Sequence, residues 1–220
     1  MGMAEARAYP SNTVAPWADI VPHSGLTTVA DLLNRPDDGW RYEVVEGVLV
    51  RVAGSGAWAT TIGRRLGARL GDYVDERGLG LVTGADGVFK FPGAETDLLP
   101  DVGYLAAARA DLIVDLGKPI PFPPDLAAEV ASPSQDAGDL AAKAQQYLRG
   151  GTSLVWIFWP EQGEVTVWRP GGLRPRSQDM RPAVTLRVAA GDALDGEDVI
   201  PGFSYPLTPL FIMRGGRPAC

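Results

Sequence analysis

Residues 124–160 read PDLAAEVASPSQDAGDLAAKAQQYLRGGTSLVWIFWP, and their order of strand, turn, helix and strand decides the fold. Side chains alternate across a strand. Over residues 124–131, Leu126, Ala128 and Val130 therefore share one face, and Glu129 shares the other with Ala127 and Ala131. A carboxylate among alanines on a buried strand is costly unless something pairs with it or coordinates it. Ser132, Ser134 and Asp136 offer capping oxygens for the helix that follows, and Gly150-Gly151 closes it. Leu140, Ala144, Tyr147 and Leu148 recur at helical spacing as its buried stripe. Lys143 stands one step off that stripe on the side of Tyr147, which lets its ammonium reach inward. Residues 154–159 are a run of apolar side chains too short for a membrane span and of the right length for a central strand.

Working outward, residues 41–52 predict a hairpin around Glu46-Gly47, with Glu43 on the face of Val45. Residues 58–77 predict the longest helix, with Ile62, Leu66, Leu70, Tyr73 and Val74 on one stripe and Gly78 as its stop. Arg65 and Arg69 lie along one edge of that stripe, placed for phosphate contact or, in the case of Arg69, for a local pair with Asp72. Strands are expected over 81–91, 101–105, 164–169 and 184–188, a short helix over 26–34, and a short terminal segment over 207–213. The loop 169–181 carries four arginines, Arg174 and Arg176 among them, and reads either as a solvated hairpin tip or as a nucleic-acid contact. The expected organisation is an arm over 1–25 with Trp17 and Ile20 as docking points, a domain over 26–213, and a tail over 214–220. Helices and strands in mixed order place the chain in the α/β or mixed α+β class, around one central sheet.

Composition narrows the function. The chain has 220 residues, enough for one domain with a full core, and a net charge of −7. That balance excludes a protein that coats nucleic acid non-specifically, while leaving room for a local basic patch. Cys220 is the sole cysteine, so neither a disulfide framework nor a thiolate metal site can be built, and a reducing compartment follows. The first residues hold no apolar stretch of signal-peptide length, so a cytoplasmic location and no membrane association are expected. His23, the sole histidine, lies in the arm and reads as a surface residue. Ser132 and Ser134 lack a nearby base and read as caps, not nucleophiles. The acidic stretch around Asp192, Asp195, Glu197 and Asp198 lacks the alternation of a calcium loop and reads as a solvated turn.

Three acidic residues fall on strands instead of in turns: Glu43, Asp101 and Glu129. Two strand carboxylates with a lysine nearby suit phosphodiester hydrolysis. Carboxylates hold Mg²⁺, which takes oxygen ligands and keeps several waters, and a lysine stabilises the charge that builds on phosphorus. Against seventeen arginines the chain has only three lysines, Lys90, Lys118 and Lys143, and a compact ammonium is not interchangeable with a guanidinium. A structural reading stays open for each. Asp101 can cap a turn after Pro100, Glu129 can pair with an arginine such as Arg149, Glu43 can serve a cross-strand ion pair, and Lys143 can cover apolar surface.

Four stretches in order resemble the Uma2 family of endonucleases, within the PD-(D/E)XK (restriction-endonuclease-like) superfamily: LTTVADLLNRPDDGWRYEVVEGVLV from Leu26, LLPDVGYL from Leu98, the core stretch above, and GDALDGEDVIPGFSYPL from Gly191. The resemblance implies a restriction-endonuclease-like mixed sheet flanked by helices. It implies an Mg²⁺-dependent endonuclease, with Mn²⁺ as substitute, acting on DNA. It also implies Asp101 and Glu129 as metal ligands, Glu43 as a further active-site acid, and Lys143 as the lysine, moved from strand to helix. Two positions depart from the pattern. The superfamily lysine two residues after the glutamate is replaced by Ala131, and Trp58 stands where family members carry a histidine. These departures, with the acidic net charge, define the alternative: a nuclease-fold module that binds nucleic acid or protein, or forms a homodimer or higher oligomer, without catalysis.

Overall fold

The computed structural model describes residues 19–20, 31, 41–52, 56–93, 96–133, 135, 137–170 and 182–212. The expected helix over 26–34 (apart from Asp31, which is helical), the caps Ser134 and Asp136, and Trp17, His23, Arg174, Arg176 and the tail fall outside the described residues.

Strands β2 (Arg41–Val45) and β3 (Val48–Val52) form the expected hairpin. Its two turn residues, Glu46 (φ 51°) and Gly47 (φ 75°), both adopt the left-handed conformation that a two-residue hairpin turn matching strand twist requires. The Glu46 amide donates to Thr96 Oγ1 at 3.0 Å, tying the turn to β6 (Thr96–Leu98). With β1 (Asp19–Ile20) and β5 (Phe89–Phe91) these strands make an antiparallel sheet in the order β1-β3-β2-β6-β5. Two residues of the expected arm thus pair with β3.

The second sheet is larger. Its order is β11-β10-β9-β8-β7-β4, from Val184–Arg187, Glu164–Trp168, Leu154–Trp159, Leu126–Val130, Val102–Ala106 and Gly80–Thr83 respectively. Every pairing is antiparallel except β8 with β9, and those two strands are joined by the helix Ala137–Arg149. A parallel pair needs such a crossover. At its start β8 is anchored by Asp125, which accepts from the Ala106 amide at 2.8 Å and from Arg109 Nη1 at 2.5 Å.

One expectation is corrected. Residues 81–91 are not one strand but two, β4 and β5, on different sheets. A turn at 85–86 separates them, and Phe89 then turns back over Gly103. A Cβ at Gly103 would lie 2.6 Å from that ring, so only glycine admits the approach.

Helix α1 (Ala57–Arg77) buries Ile62, Leu66, Leu70 and Val74 and ends at Gly78, φ 61°. Short α2 (Ala107–Ala110) follows β7. The crossover helix is α3, and α4 (Thr208–Phe211) closes the described chain after the small hairpin β12 (Ala193–Asp195) and β13 (Ser204–Pro206). The large sheet separates two cores. On one face α1 and the C-terminal segment pack on Val102, Leu126, Ala128, Val130, Trp156 and Phe158. On the other, α3 and the five-stranded sheet pack on Ala127, Ala131, Val155 and Ile157. This is the expected mixed α+β architecture, a large mixed sheet flanked by helices. Among the described residues no helix is long and apolar enough to cross a membrane.

Candidate active site

The alternation of β8 sends Leu126, Ala128 and Val130 into the α1 core and Ala127 and Ala131 toward α3, which leaves Glu129 on the α3 side. Glu129 is 6% exposed. Lys143 reaches it from α3, with Nζ 3.0 Å from Glu129 Oε1, and the same ammonium donates to Glu43 Oε1, also at 3.0 Å. Glu43 comes from β2 of the other sheet and is 1% exposed. Its Oε1 also accepts from the Leu99 amide at 2.9 Å, while its Oε2 is buried without a hydrogen-bond partner. One buried cation therefore bridges carboxylates from two sheets.

Asp101 stands just before β7. The register pairs Val102 with Ala128, and one further step sets Asp101 opposite Glu129. Its Oδ2 accepts from the Val130 amide at 2.8 Å, continuing the ladder with a side chain in place of a carbonyl. From the other side α1 packs over Asp101 at Gly63, where a Cβ would stand 3.7 Å from the aspartate Cβ, an ordinary contact.

Tyr147 completes the cluster. Its hydroxyl donates to Glu129 Oε1 at 2.7 Å, and its ring meets Phe91 edge-on at 5.8 Å. The sequence placed Tyr147 only in the apolar stripe. Its position four residues after Lys143, on the same helix face, was the available signal.

The electrostatics follow from two glutamates sharing one cation, with Asp101 close to one of them. Burial pushes the Glu129 carboxyl up to about 7; Lys143 opposes this, and Asp101 and Glu43 reinforce it. For Lys143 burial works against the ammonium, but the carboxylates of Glu129 and Glu43 outweigh it and raise its pKa above the ordinary lysine value. Burial, followed by the negative charge of Glu129, likewise holds Tyr147 neutral well beyond the usual tyrosine range.

The remaining expected site residues lie elsewhere. Arg65 Nη1 donates to the carbonyls of Leu210 (3.0 Å), Pro209 (3.4 Å) and Ile212, which ties α1 to the C-terminal segment. Arg69 lies 4.0 Å from Asp72 and over the Tyr205 ring. Arg149, the alternative partner for Glu129, instead donates to Gln145 on the surface. The hydroxyl and amide of Ser132 both donate to Gln135 Oε1 in the loop that leads into α3.

The donor set is all oxygen. Among the described residues no three Asp, Glu, His or Cys side chains converge as a group able to hold a metal ion. A pair of carboxylates on adjacent strands, with the unpartnered Glu43 Oε2 beside them, still fits a hard divalent cation that draws the rest of its shell from water.

A large mixed sheet with helices on its faces, and a buried acid–lysine cluster at the end of its parallel pair, has the architecture of restriction-endonuclease-like proteins. The family model of Uma2, described as "Putative restriction endonuclease", matches residues 29–209. The chain belongs to the Uma2 family. A similar solved structure is described as a putative nuclease belonging to DUF820 from Anabaena variabilis ATCC 29413. It aligns at a TM-score of 0.65 and 18% identity, over 84% of this chain and 97% of that one, a likeness of fold. No curated protein matches the chain.

Proposed function

We propose that the protein is an endonuclease that hydrolyses DNA phosphodiester bonds with a water activated by Mg²⁺, for which Mn²⁺ can substitute. Asp101 and Glu129 would hold the ion, which supplies an acidified water and neutralises charge developing on phosphate. The observation that carries this reading is Lys143, buried between Glu43 and Glu129, with Asp101 close enough to Glu129 to act on its charge. A membrane-free fold core does not need an ion pair at this position, and apolar replacements of buried pairs are commonly as stable.

The residues divide the work. Lys143 keeps its proton and presents a fixed positive charge at the strand ends, where an attacked phosphate gains negative charge. Tyr147 stays neutral and donates to Glu129, which orients the carboxylate. Glu43, held by the Leu99 amide, fixes the ammonium from the opposite sheet. At neutral pH Glu129 is poised between its two forms, and a further positive charge beside it would favour the ionised one.

Supercoiled plasmid incubated with the protein and Mn²⁺ or Mg²⁺ is expected to be nicked and linearised, and Glu129→Gln and Asp101→Asn are expected to abolish this while the fold persists. Failure of calorimetry to detect Mg²⁺ or Mn²⁺ binding to the wild-type protein would count against the reading. A non-catalytic nucleic-acid-binding module is the second reading, favoured by the absence of a third converging ligand among the described residues. DNA binding without nicking under any divalent cation would select it.

A further inference from the structure

A cavity of about 570 Å³ opens beside the acid–lysine cluster. It is lined where β8 and β9 end (Ala131, Ser132, Trp159) and where α1 begins (Trp58, Ala59), with Gln135 on the loop that leads into α3. Ala131 is two residues past Glu129. Ala59 also lines a second hollow, of about 640 Å³, whose wall includes Asp101. Ala59 is thus common to the walls of both hollows, the second of which reaches Asp101.

The chemistry of the lining is specific. Among the described residues no lysine or arginine lines the Trp58 cavity, while Glu161 and Glu164 do. Glu164 is paired with Arg187 at 2.8 Å, so the described lining presents no cation to a phosphate. What the walls offer is two indoles, the amides of Gln135 and Gln162, and one unsatisfied donor. Trp58 Nε1 is buried with no hydrogen-bond partner, and leaving such a donor unmet costs free energy unless a ligand meets it. Trp159 is held in place by its own Nε1, which donates to Thr166 Oγ1 at 3.0 Å. A flat, uncharged, hydrogen-bonding ring suits this lining, and the volume exceeds what one base requires.

We infer that the Trp58 cavity takes a nucleobase from an unpaired nucleotide next to the phosphate at Asp101 and Glu129, so that the favoured ligand is single-stranded or locally opened nucleic acid instead of intact duplex. The inference rests on the nuclease reading for its choice of ligand. Trp58 stacks on the base; every base has a π-face, so the contact tolerates sequence. Stacking supplies affinity that does not depend on phosphate contact, and the salt dependence of binding is correspondingly shallow.

The test uses the full chain without divalent cation, so that binding is read apart from hydrolysis. Fluorescence anisotropy is measured with a labelled 12-nucleotide single strand of DNA and with the blunt duplex of the same sequence. The single strand is expected to bind more tightly than the duplex. Trp58→Ala should weaken single-strand binding about tenfold, the scale of one lost base stack, and Trp58→Phe should lose less. Because Trp58→Ala can disturb the start of α1, Ala137→Trp supplies an independent arm. Ala137 is exposed and lines the cavity, so an indole there fills the space and leaves Trp58 untouched; it too should weaken the single strand. Equal binding by wild type and both variants overturns the proposal, as does duplex binding as tight as the single strand. Loss of nicking with binding intact would instead indict the hydrolytic reading.

Discussion

Glu43 and Lys143 stand a hundred positions apart in the chain and 3.0 Å apart in the fold, one on a hairpin of the smaller sheet and the other on the crossover helix of the larger. The contact is buried on both sides, at 5% and 1% side-chain exposure. It joins the two layers by charge as well as by apolar packing.

Lys143→Met removes the cation that, among the described residues, bonds both glutamates, and leaves Glu43 and Glu129 in the interior without it. Breaking a buried pair in this way costs about 3–5 kcal/mol, and urea denaturation at pH 7 should show a correspondingly lower midpoint. The double change Glu43→Gln with Lys143→Met should recover part of the loss. If Lys143→Met unfolds at the wild-type midpoint, the ammonium does not bridge the sheets.

Glu129 gives stability a pH dependence of defined sign. Its carboxyl is raised from the ordinary value of 4.5 to about 7 in the folded protein, so between those two values the native state binds more protons than the unfolded chain. Its contribution therefore decreases as pH rises through that window, by at most about 3 kcal/mol. Thermal melts from pH 4.5 to 7.5 should show this slope, and Glu129→Gln should flatten it. A slope of opposite sign that disappears in the variant would mean a depressed carboxyl.

Tyr147→Phe keeps the ring against Phe91 and deletes the hydroxyl that donates to Glu129. The expected cost is about 1–3 kcal/mol. Since that donor favours the ionised carboxylate, the Glu129 titration should also move to higher pH. A carboxyl-resolved NMR titration reads the shift directly, and an unmoved titration would place the hydroxyl elsewhere.

Arg65→Ala separates a structural from a ligand-binding arginine. The guanidinium serves the carbonyls of Pro209, Leu210 and Ile212, and charged hydrogen bonds of this kind contribute about 1.5–3 kcal/mol in total stability. Hydrogen exchange over residues 207–212 should accelerate while affinity for nucleic acid holds. Weakened nucleic-acid binding with unchanged exchange would return Arg65 to phosphate contact.

Much of the architecture was legible because the signals were local. The alternation around Glu129, the glycine stop at 78 and the two-residue turn at Glu46-Gly47 each report a backbone requirement within a few residues, and the strands and helices formed there. The split of 81–91 was not legible, because both halves are good strand sequence and only the distant ring of Phe89 against Gly103 directs the second half to another sheet. The site was legible as a set of residue types, Glu43, Asp101, Glu129 and Lys143, but not as a geometry. That Lys143 bonds two acids at once, and that Tyr147 turns its hydroxyl to Glu129 while its ring stays in the core, depends on the docking of α3 between two sheets. No spacing in the chain encodes that.

The staple between hairpin and crossover helix also dictates when the centre can exist. As the chain leaves the ribosome, the acids at 43, 101 and 129 emerge before the lysine that neutralises them. A product halted short of α3 carries Glu43 and Glu129 without the ammonium that bonds them both, and so lacks the charge contact that joins the two layers.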